Sequence, residues 1–510
     1  MRNVATGLVH SGLVSAETYL AVEATLFLTS ESLREPLSFL LRRLGIRPAA
    51  VIGAANADDA NLRQQVSRRI AQQSEIRYLC IVGNWGDVPA CRVVNPADDD
   101  GDTHCYTDAL YATPNDTDAN LLDACIPNIQ IGRIPSSDLA VLEHLLTIVD
   151  PLPENDAVLT FGVTANCWSE ATRAIVSKLA GEKATGQVFD APVPPHALSS
   201  PSIMASPHWD EPTLCTTIDT TGIEKGALLL FNVHGSGDEP YWVGEGEDRE
   251  FMPIFQPGTV ANFNGAVLVS EACFGGAMGY DSVSIVEHFF ANGGAAFVGC
   301  SVIAYGTSDA SLAGADILVW RFIQAVRSGS SLGEALNLAK YAVLEGADGD
   351  EDIALKTVRS FNLYGIPWHR NASRLSASTP VAESTEPTSV LAGVRERLAS
   401  RLSGEGGSPL ARYRAKYRQR LSESTRRWLV TEEERREKIK NFKDSVRIQE
   451  ILTSWQRRYD RIRMTGVETS GAISYRISAD KTTDKHFSRK RILVINRHGV
   501  LTKALVTKGM

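Results

Sequence analysis

A histidine and a cysteine, each set between an apolar segment and glycine, have the residue types that acyl transfer requires. His234 follows the apolar segment 229–233 and precedes Gly235, and Cys273 follows the segment 267–270 and precedes Phe and two glycines. Cysteine attacks a carbonyl carbon as the thiolate, and an imidazole nearby can lower the thiol pKa or take its proton. The two residues therefore predict a Cys–His nucleophilic pair.

The glycine after the histidine suits a second requirement, which is stabilisation of the oxyanion. Because Gly235 has no Cβ, its backbone N–H can approach a substrate carbonyl, and the N–H of Cys273 can supply a second donor. We predict an oxyanion site from these two donors. A single cysteine or histidine in such a position is more often a side chain packed in the core or hydrogen-bonded to its neighbours. The prediction therefore depends on the presence of both residues.

Two predicted strands would bring the pair together. Segments 227–233 and 266–270 are continuous apolar strands, and a third, 294–300, follows after a predicted helix. Continuous apolar strands that alternate with helices indicate a mainly parallel sheet covered on both faces. Since ligands bind at the carboxyl ends of such strands, His234 and Cys273 should face one cleft.

The chain around these strands predicts an α/β fold in two subdomains. Residues 24–150 alternate between strand and helix patterns, and the alternation restarts after the break at 151–153. The predicted strands are 24–28, 47–53, 76–83 and 157–163, and the predicted helices are 32–44, 59–73, 169–179, 315–328 and 332–345. We therefore predict an amino-terminal α/β subdomain at 1–150 and a second at 151–373.

The composition is that of a globular protein that does not cross a membrane. Hydrophobic residues make up 43% and charged residues 22%, and no apolar run has the length of a membrane span. His10, Ser11 and Glu17 interrupt what would be the core of a signal peptide, so we expect an intracellular, cytoplasmic protein. The eight cysteines form no CxxC pair, which disfavours a zinc site and a disulfide framework.

The charge divides the chain into an acidic and a basic part. Residues 412–510 contain 26 Lys and Arg against 11 Asp and Glu, a net charge of +15; since the whole chain carries −8, residues 1–411 carry −23. Residues 374–411 are rich in Ser, Thr, Pro and Gly and are predicted to be a linker. Helical spacing up to Met464 and short strands over 472–506 predict a small basic α+β unit at 412–510.

The basic unit has several interpretations. Arginine interleaved with aromatic residues suits an acidic protein surface or nucleic acid, while a solvated helical face is the commoner explanation. We favour a regulatory protein partner over nucleic acid. The linker contains Arg395, Arg397 and Arg401, so an arginine-selective peptidase could process itself there and could be held latent beforehand.

Five blocks over residues 24–370 resemble, in order, the gingipain family of the clan that contains caspases, legumain, separase and clostripain. They are Tyr78-Leu-Cys-Ile-Val-Gly-Asn-Trp-Gly-Asp-Val-Pro89, Tyr106-Thr-Asp-Ala-Leu-Tyr-Ala112, Ile129-Gln-Ile-Gly-Arg-Ile-Pro135, Val233-His-Gly-Ser-Gly237 with Ser270-Glu-Ala-Cys-Phe274, and Phe361-Asn-Leu-Tyr-Gly-Ile-Pro367. The last block departs from the family, because Ile366 stands where the family has aspartate.

The resemblance implies a caspase-like fold and a thiol peptidase. It assigns Cys273 as the nucleophile and His234 as the acid and base. It places Asp108 at the base of the S1 pocket, where a carboxylate would bind arginine at P1, and Tyr305 in the S1 wall. A turn or cap role for Asp108 and a core role for Tyr305 stay open. Asp87 is a candidate for orienting the histidine.

We therefore predict an intracellular cysteine endopeptidase that acts on proteins or peptides through an acyl-enzyme. It needs no cofactor, and we predict no metal ligands. Calcium at the acidic segments 98–102 and 348–352 is the less favoured alternative to solvated turns. The competing functions are a catalytically silent scaffold that binds protein or nucleic acid through the basic unit, and a sortase-like transpeptidase.

Overall fold

A computed structural model describes the chain in segments that include nearly all the predicted strands of the two subdomains. The described residues are 16–54, 59–97, 102–112, 126–127, 129–147, 161–180, 223, 225–245, 251–258, 262–347, 351–370, 461–469, 472–484, 487–496 and 501–507. The three predicted boundaries, at 150, 373 and 411, lie outside these residues and stay predictions.

The strands form one large sheet and three smaller ones. In chain order they are β1 Thr25–Ser30, β2 Ala50–Ala54, β3 Tyr78–Val82, β4 Cys91–Val94, β5 His104–Thr107, β6 Gln130–Ile134, β7 Phe161–Thr164, β8 Leu228–Asn232, β9 His234–Gly235, β10 Trp242–Glu245, β11 Phe251–Phe255, β12 Val267–Ser270, β13 Ala296–Cys300, β14 Tyr305–Gly306, β15 Phe361–Gly365, β16 Arg461–Thr469, β17 Ala472–Asp484, β18 Phe487–Asn496 and β19 Leu501–Thr507.

The nine-stranded sheet has the order β2-β1-β3-β6-β15-β13-β12-β8-β7 and joins strands from both predicted subdomains. The pairs are parallel, except that β15 runs antiparallel to β13. The two halves of the sheet meet at β6 and β15, and the register of this pairing consists of Tyr364 opposite Arg133. The predicted α/β class with a mainly parallel sheet is confirmed.

Helices cover both faces of this sheet. They are α1 Ala16–Glu23, α2 Glu31–Arg43, α3 Asp59–Gln72, α4 Leu139–Thr147, α5 Ser169–Ala180, α6 Ile285–Ala291, α7 Ala315–Arg327, α8 Leu332–Glu345 and α9 Glu351–Ser360. Side chains alternate between the two faces along each strand, so Leu79 and Ile81 enter one apolar core, whereas Cys80 and Val82 enter the other. Helices α3, α5, α7, α8 and α9 pack on the first core, and α2, α4 and α6 pack on the second.

The carboxyl-terminal residues form longer strands than the sequence predicts. Residues 461–464, which were expected to be helical, lie in β16, so that part of the prediction is wrong. Strands β16, β17 and β18 have 9, 13 and 10 residues and pair as antiparallel neighbours, because alternating polar and apolar residues continue through the expected turns. The predicted helices between 413 and 460 lie outside the described residues.

The carboxyl-terminal strands belong to a five-stranded antiparallel sheet of order β14-β19-β18-β17-β16. Its edge strand β14 comes from the predicted second subdomain. Tyr305 is opposite Thr507, and Gly306 is opposite Val506. The carboxyl-terminal strands are therefore joined to the segment 305–306 through main-chain pairing. Within the part of the chain that the structure describes, no helix has both the length and the apolar character needed to span a membrane.

His369 should make folding stability depend on pH. Burial lowers the pKa of His369 to about 3, whereas histidine in an unfolded chain has a pKa of about 6.5. Below pH 6.5 the unfolded chain binds a proton that the folded chain does not, so the stability that this group confers is present above pH 6.5 and is lost as the pH falls. We expect urea unfolding to report a loss of about 2 kcal/mol from this group between pH 7 and pH 5.

The variant His369→Gln should abolish that part of the pH dependence, since glutamine does not titrate. Equal slopes in the unmutated chain and in His369→Gln would contradict the prediction.

Candidate active site

The predicted pair lies at the carboxyl ends of two neighbouring strands. Strands β8 and β12 are parallel and in register, with Phe231 opposite Ser270. His234 lies three residues after the first of these positions, and Cys273 lies three residues after the second. The register therefore brings both residues to the same edge of the sheet, as the sequence predicts.

Gly235 permits the close approach of these two segments. A Cβ at this position would lie 1.8 Å from the carbonyl oxygen of Cys273, which is far inside a van der Waals contact. Only glycine fits there, so the glycine after the histidine has a packing role beside its predicted role as an oxyanion donor. On the other side of the thiol, Phe274 has a φ of 55°, a strained value for a residue with a side chain.

The imidazole of His234 is enclosed by residues from two neighbouring elements. Its ring centroid lies 4.3 Å from that of the buried Trp168, and its Nε2 lies 3.9 Å from the Sγ of Cys167. Both residues follow strand β7. The histidine also pairs with Val243 in the antiparallel ribbon of β9 and β10. Indole and ribbon together fix the position of the imidazole.

The thiol of Cys273 is fully buried and is bound by one main-chain residue. It accepts a hydrogen bond from the N–H of Ala304 at 3.1 Å, and its Sγ lies 3.6 Å from the carbonyl oxygen of the same residue. Burial, together with the nearby Cys300, raises the pKa of Cys273 well above its ordinary value, although the N–H of Ala304 opposes this shift. The thiol is therefore protonated at neutral pH in this conformation.

A buried ion pair holds the loop that covers the thiol. The Oδ2 of Asp102 accepts hydrogen bonds from the N–H of Ile303 and from the Nζ of Lys356, both at 2.8 Å. Lys356 is fully buried, so its charge depends on this carboxylate. Farther along the loop, the Oδ2 of Asp316 accepts hydrogen bonds from the N–H of Thr307 at 2.6 Å and from its hydroxyl at 3.1 Å.

Asp102 ends the first acidic segment that was considered for calcium. Its carboxylate binds an ammonium group and an amide, whereas residues 98–101 and 348–350 lie outside the described part of the chain. Among the described residues, no group of three or more His, Cys, Asp and Glu side chains is arranged to hold a metal ion. Calcium binding stays an untested alternative.

Asp108, predicted at the base of an S1 pocket, forms an ion pair with a buried arginine. Its Oδ2 lies 2.8 Å from the Nε of Arg133, and its Oδ1 lies 2.6 Å from Nη2. The Nη1 of this arginine donates to the carbonyl oxygens of Gly83, Asn84 and Val88. Burial alone would lower the pKa of Arg133, but the neighbouring carboxylate raises it overall. To bind a substrate guanidinium, Asp108 would have to leave this partner.

Asp87 makes a local contact. Its Oδ2 accepts a hydrogen bond from the N–H of Asn84 at 3.2 Å, and the side chain of Asn84 in turn accepts from the N–H of Gly86 and of Asp87. These bonds close the turn after strand β3. The described contacts place Trp168 and Cys167, and not Asp87, against His234.

Tyr305 is buried and occupies a small apolar cluster. Its neighbours there are Ala97, Ala313 and Ile353, and the Nζ of Lys356 lies 5.5 Å from its ring centroid. This environment matches the core role that the sequence left open. A role as an S1 wall stays a prediction, because it would require the ring to become accessible.

An open cleft lies beside the segment that contains Cys273. It has a volume of about 510 Å³, and its lining includes Tyr241, Gln256 and His288. A smaller recess is lined by Cys273 and Tyr280, among others, and Pro240 and Tyr241 line both spaces. The cleft therefore adjoins the recess at Cys273, and its volume is within the usual range of ligand pockets.

Sequence reasoning missed Cys167 as a second thiol at the histidine. It is not fully buried, and its Sγ lies within reach of Nε2. The sequence does contain an indication of this contact. Asn166-Cys-Trp168 comes shortly after the predicted strand 157–163, which belongs to the same predicted parallel sheet as the strands before His234 and Cys273. The partners of Arg133 and of Asp102 were missed as well.

Comparisons with known proteins gave one structural neighbour. No protein-family model matches the chain, and no curated protein matches it. The chain is similar to the solved structure of the Arg-specific cysteine proteinase gingipain R (RGPB), with 12% identity over 69% of this chain and 79% of that chain and a TM-score of 0.46. This likeness is too distant to carry an argument about function.

Gly235→Ala should disturb the site through a main-chain clash. The added methyl group would overlap the carbonyl oxygen of Cys273, so we expect the free energy of unfolding to fall by about 1–3 kcal/mol. Gly237→Ala is the matched control, because its Cβ would meet the movable ring of Phe274 at 3.0 Å. Urea unfolding compares the two, and equal losses would show that close approach at Gly235 is not the constraint.

Asp108→Ala should be strongly destabilising if the ion pair is structural. It leaves the buried charge of Arg133 uncompensated, which costs about 3–5 kcal/mol. The control is Glu31→Ala, whose exposed pair with Arg34 should contribute at most about 1 kcal/mol. A stable Asp108→Ala protein that had lost only its preference for arginine at P1 would instead support the S1 role.

Proposed function

We propose that this protein is a cysteine endopeptidase in which Cys273 is the nucleophile and His234 is the general base and acid. The observation that carries the proposal is the in-register pairing of β8 with β12, which delivers the two residues to one edge of a parallel sheet. The contact between Gly235 and the main chain of Cys273 supports it further, because it brings the two predicted oxyanion donors close together.

The reaction uses each of these groups in turn. His234 takes the thiol proton, and the sulfur attacks the carbonyl carbon of the scissile peptide bond. The oxyanion accepts hydrogen bonds from the N–H groups of Gly235 and Cys273. The imidazolium then protonates the leaving amine, and the C–N bond breaks to leave a thioester on Cys273. Water, deprotonated by His234, hydrolyses the thioester and releases the acid product and the thiol.

The site needs a conformational change before this chemistry can begin. Cys273 is buried, burial raises its pKa, and the thiol is bound to Ala304. The proposal therefore includes a latent resting state in which the loop 301–305 covers the nucleophile. In that resting state Cys167 contacts the histidine, which makes it a second candidate nucleophile.

The substrate is a protein or peptide. A preference for arginine at P1, together with self-processing in the linker, belongs to the proposal on the strength of the sequence resemblance, but the pairing of Asp108 with Arg133 weakens its physical basis. The alternatives are transfer of the acyl group to an amine, and a silent scaffold whose basic unit binds a partner. An intracellular location is also proposed from the sequence alone.

The test is hydrolysis of a peptide library varied at P1, with and without calcium. The unmutated chain should cleave it, and Cys273→Ala should reduce kcat/KM by at least about 10³-fold, because the acyl-enzyme cannot form. Cys167→Ala is the matched control and should keep most of the activity. Trapping with a peptide that carries an electrophile should label Cys273, which mass spectrometry can locate.

Other outcomes separate the alternatives. Loss of activity in Cys167→Ala, with activity retained in Cys273→Ala, would overturn the assignment of the nucleophile. Cleavage after a residue other than arginine would keep the enzyme class and discard the S1 role of Asp108. A product lengthened by an added amine would favour the transpeptidase, and salt-dependent binding without thiol-dependent activity would favour the scaffold.

A further inference from the structure

The loop that covers the thiol is also the point where the carboxyl-terminal sheet attaches. Strand β14 begins at Tyr305, directly after Ala304, and pairs antiparallel with β19. One residue of the loop therefore binds the sulfur of Cys273, and the next two bind a strand from the far end of the chain. Any movement of β19 is transmitted to Ala304 through two peptide bonds at most.

Hydrogen bonds to carboxylates hold the residues on either side of this short segment. Ile303 is held by Asp102, and Thr307 is held by Asp316, both through main-chain N–H groups. Residues 304–306 form the span between these anchors. Within this span Ala304 contacts the thiol, and Tyr305 and Gly306 pair with β19. The buried ring of Tyr305 also packs beside Ala313 and Ile353.

The charges of the two parts favour the same contact. Residues 412–510 carry a net charge of +15, against −23 for the rest of the chain. Opposite charges of this size attract a tethered segment to the acidic part, while main-chain pairing gives it register. Main-chain pairing depends little on side chains, so a second extended strand could compete with β19 for the same edge.

We propose that the main-chain edge of Tyr305 and Gly306 is a docking site for one extended strand, that β19 of the same chain fills it, and that this docking keeps Ala304 against the thiol of Cys273. Release of β19 frees the span 304–306 and exposes the thiol. The proposal rests on the proposed function only in treating this thiol as the nucleophile, because the exposure itself can be measured without catalysis.

The test uses the full chain with Val506→Pro, because Val506 is opposite Gly306 and proline is poorly tolerated inside a paired strand. Iodoacetamide alkylates a thiol when the thiolate displaces iodide, forming a thioether while the thiol proton passes to solvent. The rate at Cys273 is followed by peptide mass spectrometry at pH 8. We expect an increase of about tenfold or more in Val506→Pro, since loss of main-chain pairing shifts the loop toward its open form.

Two controls make the readout specific. Val506→Thr keeps the N–H and the β-branched side chain, so it should leave the rate at Cys273 unchanged. Cys80, in the core strand β3 and fully buried, should stay unreactive in every variant and so report on the integrity of the fold. An excess of a synthetic peptide with the sequence of residues 501–507 should restore protection of Cys273 in Val506→Pro.

The outcomes distinguish this inference from the proposed function. An unchanged rate at Cys273 in Val506→Pro would overturn the inference, even if the enzyme cleaves peptides. Parallel exposure of Cys80 would also overturn it, since β19 would then support the whole fold. Faster alkylation of Cys273 without any peptide hydrolysis would uphold the docking of β19 and count against the peptidase.

Discussion

The guanidinium of Arg133 lies where the two halves of the large sheet meet, and its hydrogen bonds join segments that are distant in sequence. The residue belongs to β6 and is opposite Tyr364 of β15, so it takes part in the pairing that connects both halves. Its donors reach Asp108 and three carbonyl oxygens near the end of β3. A buried charge is tolerated only when such partners are complete. The turn after β3 and the Asp108 segment are thereby fixed against the sheet.

Much of the architecture could be predicted because the relevant signals are local. Apolar segments such as 227–233 and 266–270 appear as strands β8 and β12 with bounds that differ by at most one residue. The positions of His234 and Cys273 followed from where those strands end. For Asp108 the sequence analysis predicted a substrate arginine as the partner, whereas the structure pairs it with Arg133. A carboxylate in a polar segment is compatible with either partner. An arginine inside the apolar run 129–135 was the signal that a buried carboxylate was required.

The burial of Cys273 could not be predicted, because it arises from a loop distant in sequence. Nothing near Cys273 in the sequence indicates that Ala304 would bind its sulfur, or that Asp102 would hold the loop from the other subdomain. The contact of Cys167 with His234 also joins segments that are distant in sequence, because β7 and β8 are neighbours in the sheet. The candidate site is thus assembled from residues on both sides of the predicted boundary at 150, and its groups depend on the completed sheet.

The position of β15 has a consequence for how this chain acquires its fold during synthesis. It is the last strand of the large sheet to be made, yet it lies at the centre, between β6 and β13. Until residue 365 has left the ribosome, each half therefore presents an open strand edge that can pair with other chains. Closure also brings together segments more than 200 residues apart, a topology that slows folding. A nascent chain that stops before β15 should thus be a substrate for chaperones and not a smaller stable protein.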